Sequence, residues 1–207
     1  MSSNQNSQGL LLVLSGPSGA GKGTISKRLL ENSPNLKFSI SATTRAPRVG
    51  EVDKVNYHFI NKELFQQMVD KDELLEYAQV YDNFYGTPRF AVEEALAEGF
   101  DVLLEIDPQG ALQIKDKMPR AVFVFIMPPS LEELSERIHK RGTDEETIIQ
   151  LRLSQAVNEL KCASNYDYLV INDEIEAATH KVMSILEAER CMVWRNINRV
   201  TEICSSK

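Results

Sequence analysis

The segment Gly16-Pro17-Ser18-Gly19-Ala20-Gly21-Lys22-Gly23-Thr24 constrains this chain more than any other. It follows a short apolar run, Leu10 to Leu14, and opens a stretch, Thr24 to Leu30, in which Ile25 and Leu29 stand one helical turn apart. Glycines let a chain fold back so that backbone N–H groups and a helix N-terminus surround a phosphate, and a lysine placed here reaches the outer phosphates. A glycine turn ahead of a helix would need neither the preceding strand nor a lysine in register. The pattern therefore predicts a nucleoside triphosphate site over Gly16 to Thr24. One departure stands out: the residue directly after the lysine is Gly23, with the hydroxyl displaced to Thr24, which leaves direct hydroxyl ligation of Mg²⁺ open.

Further short apolar runs lie at Val102 to Ile106, Ala121 to Met127 and Tyr168 to Ile171. Helical patterns separate or follow them at Arg89 to Glu98, Leu131 to Arg141, Glu145 to Cys162 and Glu174 to Arg199, with Gly99 and Gly142 ending the first two. The alternation predicts an α/β fold, a parallel sheet flanked by helices on both faces. A length of 207 residues suits one domain with a smaller insert. Residues 1–9 are polar and read as a disordered tail. Lys37 to Gln79 has a different texture, with Ser, Thr, Arg and Tyr interleaved and a strand expected at Tyr57 to Ile60, and reads as an inserted subdomain.

With 23 basic against 30 acidic side chains the net charge is −7. Such a balance excludes broad nucleic-acid binding, and any anionic ligand must meet local positive charge. Cys162, Cys191 and Cys204 are far apart and form no CxxC, and His58, His139 and His180 do not cluster with them, so neither a disulfide framework nor a zinc site is legible. No apolar run is long enough to span a membrane and no secretory signal is visible, which makes the reducing cytoplasm the expected setting.

The local positive charge appears in Ser39-Ile40-Ser41-Ala42-Thr43-Thr44-Arg45-Ala46-Pro47-Arg48-Val49-Gly50-Glu51, followed by Tyr57. Arg45 and Arg48 can grip a second anion with forked donors while Ser41 and Tyr57 supply neutral ones. The alternative is a solvated turn.

These residues resemble the guanylate kinase family, over nearly the whole chain from Leu10 to about Arg199. The resemblance rests on Ser41 to Glu51, on Tyr85-Gly86-Thr87 and on Glu105-Ile106-Asp107-Pro108-Gln109-Gly110, with Pro108 where the family often has a bulkier residue. It implies phosphorylation of GMP, and of dGMP, by ATP with Mg²⁺. The corresponding architecture is a P-loop core at 10–36 and 88–207, an inserted GMP-binding subdomain at 37–87 and a helical lid at about 137–155. ATP and GMP are then the partners, with no nucleic acid and no membrane, and a homo-oligomer is compatible.

By the same resemblance Ser41, Arg45, Arg48, Tyr57 and Tyr85 hold the GMP phosphate, and Glu76 and Thr87 read the guanine. Glu105 and Asp107 lie by the GMP site, Asp107 meeting Mg²⁺ through water. Lys22, Arg45, Arg137, Arg141 and Arg152 form the transfer clamp, and Gly16 to Thr24 with Asn172 bind ATP, Asn172 near the adenine. The chemistry of the base agrees: a carboxylate accepts from N1–H and the 2-amino group of guanine and a hydroxyl donates to O6, whereas adenine offers an acceptor at N1. Taken alone, Glu76 would be a helix-surface acid, Asp107 a helix cap, Asn172 a turn residue, and Arg137 and Arg141 a charged face paired with Glu133 and Glu136. An adenylate kinase would share the Gly23-Thr24 ending but not Ser41 to Glu51. A phosphopeptide-binding scaffold domain of this family usually has an eroded phosphate loop, and a small GTPase would need an N-K-x-D motif that the chain lacks.

Overall fold

Leu11–Ser15 (β1) is buried at every position, as a strand covered on both faces must be. The computed structural model describes residues 8–80, 82–140 and 146–205, and within the last range not the side chains of residues 146–149, 151 and 152. After β1 come the helix Lys22–Asn32 (α1) and the strand Leu36–Phe38 (β2). A second set of elements then interrupts the first: Ala42–Thr43 (β3), His58–Phe59 (β4), the helix Lys62–Asp70 (α2), Leu74–Val80 (β5) and Asn83–Pro88 (β6). The chain returns through the helix Arg89–Ala97 (α3) to Asp101–Glu105 (β7), the helix Pro108–Lys117 (α4) and Val122–Met127 (β8). The helices Leu131–Lys140 (α5) and Glu146–Lys161 (α6), the strand Tyr168–Ile171 (β9) and the helices Ile175–Arg190 (α7) and Val193–Ser205 (α8) complete it.

The main sheet runs β2-β7-β1-β8-β9 and all its pairs are parallel. Leu10, Leu12 and Leu14 face one way, against Ile25 and Leu29 of α1 and Val182 and Leu186 of α7. Leu11 and Val13 face the other, against Val92 and Leu96 of α3 and Ala111 and Ile114 of α4. Because β1 is central, the loop leaving its carboxyl end lies between those of β7 and β8, where ligands of open α/β sheets bind. At the opposite end Asp101, 4% exposed, accepts the Leu10 N–H at 2.7 Å and pairs with Arg190.

The second sheet runs β4-β3-β6-β5, with β6 antiparallel to both its neighbours. Its own small core joins Ala42, Phe65 and Leu74, with Phe65 stacked on Phe84 at 5.5 Å. Asn61 caps α2 by accepting the Leu64 N–H. Thr43 and Thr44 stitch β3 to β6: the Thr43 hydroxyl donates to the Phe84 carbonyl and the Thr44 hydroxyl accepts the Phe84 N–H, each at 2.9 Å. Leu75, next to Leu74, packs instead into the main core.

Several expectations shift. Residues 1–7 of the tail lie outside the described residues, and Gly9 already donates to the Leu96 carbonyl, so the ordered chain begins before Leu10. Lys37 and Phe38, assigned above to the insert, pair with β7 in the main sheet. The strand expected at Tyr57 to Ile60 is confined to His58–Phe59, and α2 and the β5–β6 hairpin lack any counterpart in the sequence reading. The long helix expected at Glu174 to Arg199 is two helices, α7 and α8, because the chain turns at Cys191 and Met192. Gly99, at φ +89, ends α3 as expected. Arg141 and Gly142, expected to end α5, lie outside the described residues.

Candidate active site

The glycine loop closes tightly on its neighbours. Gly16 has φ +142, and a Cβ there would fall 2.2 Å from the Ile126 carbonyl oxygen. Gly21, at φ +94, caps α1, and a Cβ there would fall 2.3 Å from Asn172 Nδ2. Neither place admits another residue without displacing backbone or a buried amide. Gly21 has no side chain to cap α1, and the positive end of the helix dipole meets the loop there, a setting that favours an anion. Lys22 lies over the loop, its Nζ donating to the Gly16 carbonyl at 2.5 Å and the Pro17 carbonyl at 3.1 Å. Gly23 packs beside the Glu105 carboxylate, the last residue of β7.

Behind the loop Asn172, 1% exposed, donates from Nδ2 to the Ala20 carbonyl at 2.7 Å. Its own carbonyl accepts from Arg137 Nη2 at 3.1 Å, and Arg137 also pairs with Glu133 at 3.1 Å. Asn172 thus brackets the loop from behind. Gly19 abuts Leu134 and Ile138 of α5. On α6, burial pushes the Glu159 carboxyl up, while Lys22 and the Ser18 backbone pull it the other way.

Across the cleft Arg45, Tyr57 and Tyr85 come together. The Arg45 guanidinium lies 5.6 Å from the centre of the Tyr57 ring, and the Tyr57 and Tyr85 rings meet edge to face at 6.0 Å. Glu51 braces this loop: one oxygen takes Arg45 Nη2 at 2.9 Å and the other the Arg48 N–H at 2.7 Å. The bond to Glu51 holds Arg45 above its usual range, and the Arg45 fork holds Glu51 below its own. Burial raises the Tyr57 hydroxyl. Arg48 itself is exposed, and Ser41 precedes β3 with its carbonyl accepting the His58 N–H.

Between the two clusters lies Glu76. It is not a helix-surface acid: it sits in β5, 6% exposed. Leu74 pairs with Pro88 and Tyr77 with Gly86, so Leu75 and Glu76 together oppose Thr87, a bulge of the kind that re-aims a side chain. Glu76 Oε1 accepts the Thr87 hydroxyl at 2.6 Å, and a Cβ on Gly110 would lie 2.6 Å from Oε2. Burial pushes the Glu76 carboxyl up to about 7, with Asp107 adding like charge and Thr87 holding it down. Asp107 does cap α4, its Oδ1 accepting the Gly110 N–H at 2.9 Å. Arg141 lies outside the described residues, and Arg152 is placed only as part of α6.

The chain can now be set beside known proteins. The guanylate kinase family model matches residues 8–189. The chain is 56% identical over 191 residues to a guanylate kinase of Desulfitobacterium hafniense (strain Y51), covering 92% of this chain and 96% of that protein. It is 54% identical over 195 residues to one of Clostridioides difficile (strain 630), covering 94% and 95%. The crystal structure of guanylate kinase from Anaplasma phagocytophilum superposes with a TM-score of 0.75 at 37% identity, covering 91% of this chain and 90% of that one. With the family model matching most of its length and relatives more than half identical nearly end to end, the chain belongs to the guanylate kinase family.

Proposed function

We propose that the two clusters divide the family's reaction, phosphoryl transfer from ATP to GMP giving ADP and GDP, between a donor site on the glycine loop and an acceptor site on the second sheet. The observation that carries this reading is the buried Glu76–Thr87 pair: among the described residues the Glu76 carboxylate takes a hydrogen bond from Thr87 but has no salt bridge to justify its burial. Gly16 to Thr24 take the ATP phosphates, and Asn172 serves ATP by shaping the loop. Arg45, Arg48, Tyr57, Tyr85 and Ser41 take the GMP phosphate. Glu76 accepts from guanine N1–H and the 2-amino group. Thr87 can donate to O6 only after its hydroxyl turns away from Glu76, because that proton is already committed there.

The GMP phosphate, with a second pKa near ~6, is largely dianionic at neutral pH, so the attacking oxygen needs no general base. Repulsion between converging phosphates is the obstacle. Lys22, Arg45, Arg48 and Arg137 neutralise charge, with Arg141 and Arg152 assigned to the same work, and closure of the site excludes water that would hydrolyse ATP. Mg²⁺ takes oxygen ligands and keeps several waters. Asp107, with Glu105 beside Gly23, offers such oxygens, so these residues fit an ion carried in with ATP that offsets phosphate charge. Among the described residues no group of three or more His, Cys, Asp or Glu side chains could hold a metal unaided. No helix among the described residues is long and apolar enough to cross a membrane, and the three free cysteines suit a reducing cytoplasm.

A coupled assay of GMP, dGMP, AMP, UMP and TMP with ATP and Mg²⁺ tests the reading. GMP turns over by far the fastest; AMP turnover equal to that of GMP would sink it.

Arg45→Ala and Arg48→Ala weaken GMP and spare ATP, because their loop belongs to the second sheet. A charge-assisted contact contributes about 1.5 to 3 kcal/mol, or roughly ten- to a hundredfold in affinity. Calorimetric titration of each ligand decides; loss of ATP binding with GMP binding intact would mean that the sites are inverted.

GMP affinity depends on pH through Glu76. The free protein holds this carboxyl protonated below about pH 7, whereas guanine's donors need it ionised. GMP binding therefore releases a proton, and the dissociation constant rises about tenfold per pH unit below that point and levels off above pH ~8. The acidic arm disappears in Glu76→Gln apart from the titration of the GMP phosphate itself. An identical profile in parent and variant counts against the assignment.

A further inference from the structure

The helix α4 turns one face to β5. Gly110, Gln113 and Lys117 stand at i, i+3 and i+7 along it, so they share that face. Each meets β5 or the turn before it. Lys117 Nζ donates to the Leu74 carbonyl at 2.9 Å and to Asp72 Oδ1 at 3.0 Å. Gln113 takes both backbone groups of Tyr77: its Oε1 accepts the Tyr77 N–H at 3.1 Å, and its Nε2 donates to the Tyr77 carbonyl at 2.9 Å. Gly110 leaves the space that Glu76 Oε2 fills, since a Cβ there would lie 2.6 Å from that oxygen.

β5 ends the second sheet, so one side of its backbone has no neighbouring strand among the described residues. A side-chain amide that accepts from the N–H and donates to the C=O of one residue makes the two bonds that a facing antiparallel residue would exchange with it. Shielding an edge needs only a charge or a proline. A two-point contact does more, because it fixes register, and this one falls next to the bulge. The β5–β6 register shifts between Leu74 and Tyr77 and resumes with Tyr77 opposite Gly86. Tyr77 is therefore where the strand is pinned so that Leu75 enters the main core and Glu76 meets Thr87. A one-residue slip there would turn the carboxylate to the other face of the sheet.

We propose that Gln113 is a positioning residue for base selection: by holding both backbone groups of Tyr77 it fixes the register of β5, and with it the place of the Glu76 carboxylate, without touching either substrate. This rests on the reading of Glu76 as the group that meets guanine. The effect of Gln113 then falls on GMP and not on ATP.

Two variants of the full chain test it. Gln113→Ala removes the amide, and Gln113→Met keeps the length of the stem while losing both hydrogen bonds. Each raises KM for GMP about tenfold and narrows the preference for GMP over AMP about tenfold, as the loss of two neutral hydrogen bonds would. KM for ATP, and kcat at saturating GMP, stay within about threefold of the parent. A double-mutant cycle with Glu76→Gln separates positioning from general support of the fold: because Gln113 acts through that carboxylate, adding Gln113→Met to Glu76→Gln changes the remaining preference by less than about twofold. Unchanged preference in the single variants overturns the proposal. So does an effect as large in the Glu76→Gln background as in the parent. A Met variant that is unfolded at the assay temperature, or that weakens GMP and ATP alike, makes Gln113 a residue of the fold alone and overturns it as well. The Glu76→Gln protein tests the underlying reading by itself: if it discriminates like the parent, guanine is read elsewhere, whereas discrimination lost there and kept in Gln113→Met removes only the role of Gln113.

Discussion

Glu76→Gln lowers kcat/KM for GMP by about 10²-fold or more, leaves ATP affinity unchanged and narrows the preference for GMP over AMP. The parent's preference reaches up to ~10⁴, because a buried site built to satisfy polar groups rejects a base that leaves them facing an acceptor. The Gln amide has nearly the shape of the carboxylate but turns one acceptor into a donor aimed at guanine's own donors. It has little room to evade the conflict: Thr87 holds one oxygen and Gly110 lies against the other. Loss of fold does not account for the effect. The carboxyl rises from 4.5 in the open chain to about 7 in the folded protein, so the folded state binds the extra proton, and stability falls as pH rises between those values. A neutral Gln escapes that cost, and at pH 8 the variant melts no lower than the parent. If the variant discriminates GMP from AMP as well as its parent, guanine is read elsewhere.

Lys22→Ala leaves a folded protein whose turnover is down at least ~100-fold. The ammonium lies against the Gly16 and Pro17 carbonyls, at the mouth of a helix whose N-terminal amides carry only partial charge. Nothing else in the loop supplies a full positive charge to the migrating phosphoryl group. Arg45 sits in the acceptor cluster and shares its charge with Glu51. Lys22 is only partly buried, so the melting curve stays close to that of the parent. Turnover like the parent's in this variant, with a normal melt, would show that the phosphate charge is met by the arginines alone.

The main sheet was legible because each of its long strands is a continuous apolar run between turn residues, and the phosphate loop because its glycines, lysine and flanking elements follow one another along the chain. The second sheet was not. β3 and β4 are only two residues long, too short to show a period, and the hydroxyls of Thr43 and Thr44 that resemble ligand donors are spent on Phe84. Leu74 and Leu75 look like part of a helix because both are buried, but they bury in different cores. Glu76 was reached only through family resemblance, since the bulge that turns it inward is a property of strand register, which no local pattern reports. Asn172 was recognised as an ATP-site residue near the adenine, but its bond to the loop was not, because its amide reaches Ala20 across a chain separation that sequence spacing does not encode.

The boundary between the two halves of this enzyme runs through a strand, between adjacent residues, rather than along a linker. With Leu74 belonging to one core and Leu75 to the other, no choice of endpoints excises the second sheet intact. A fragment carrying β3 to β6 would expose Leu75 to water, and a core lacking them would have a hole where Leu75 packs. Lys117 adds a further tie, donating from α4 to the Leu74 carbonyl and pairing with Asp72. The second sheet is therefore not a module that could be exchanged between kinases by cutting at its ends: on the proposed reading, base specificity is inherited together with the helix α4 that packs on β5, and a graft must carry both.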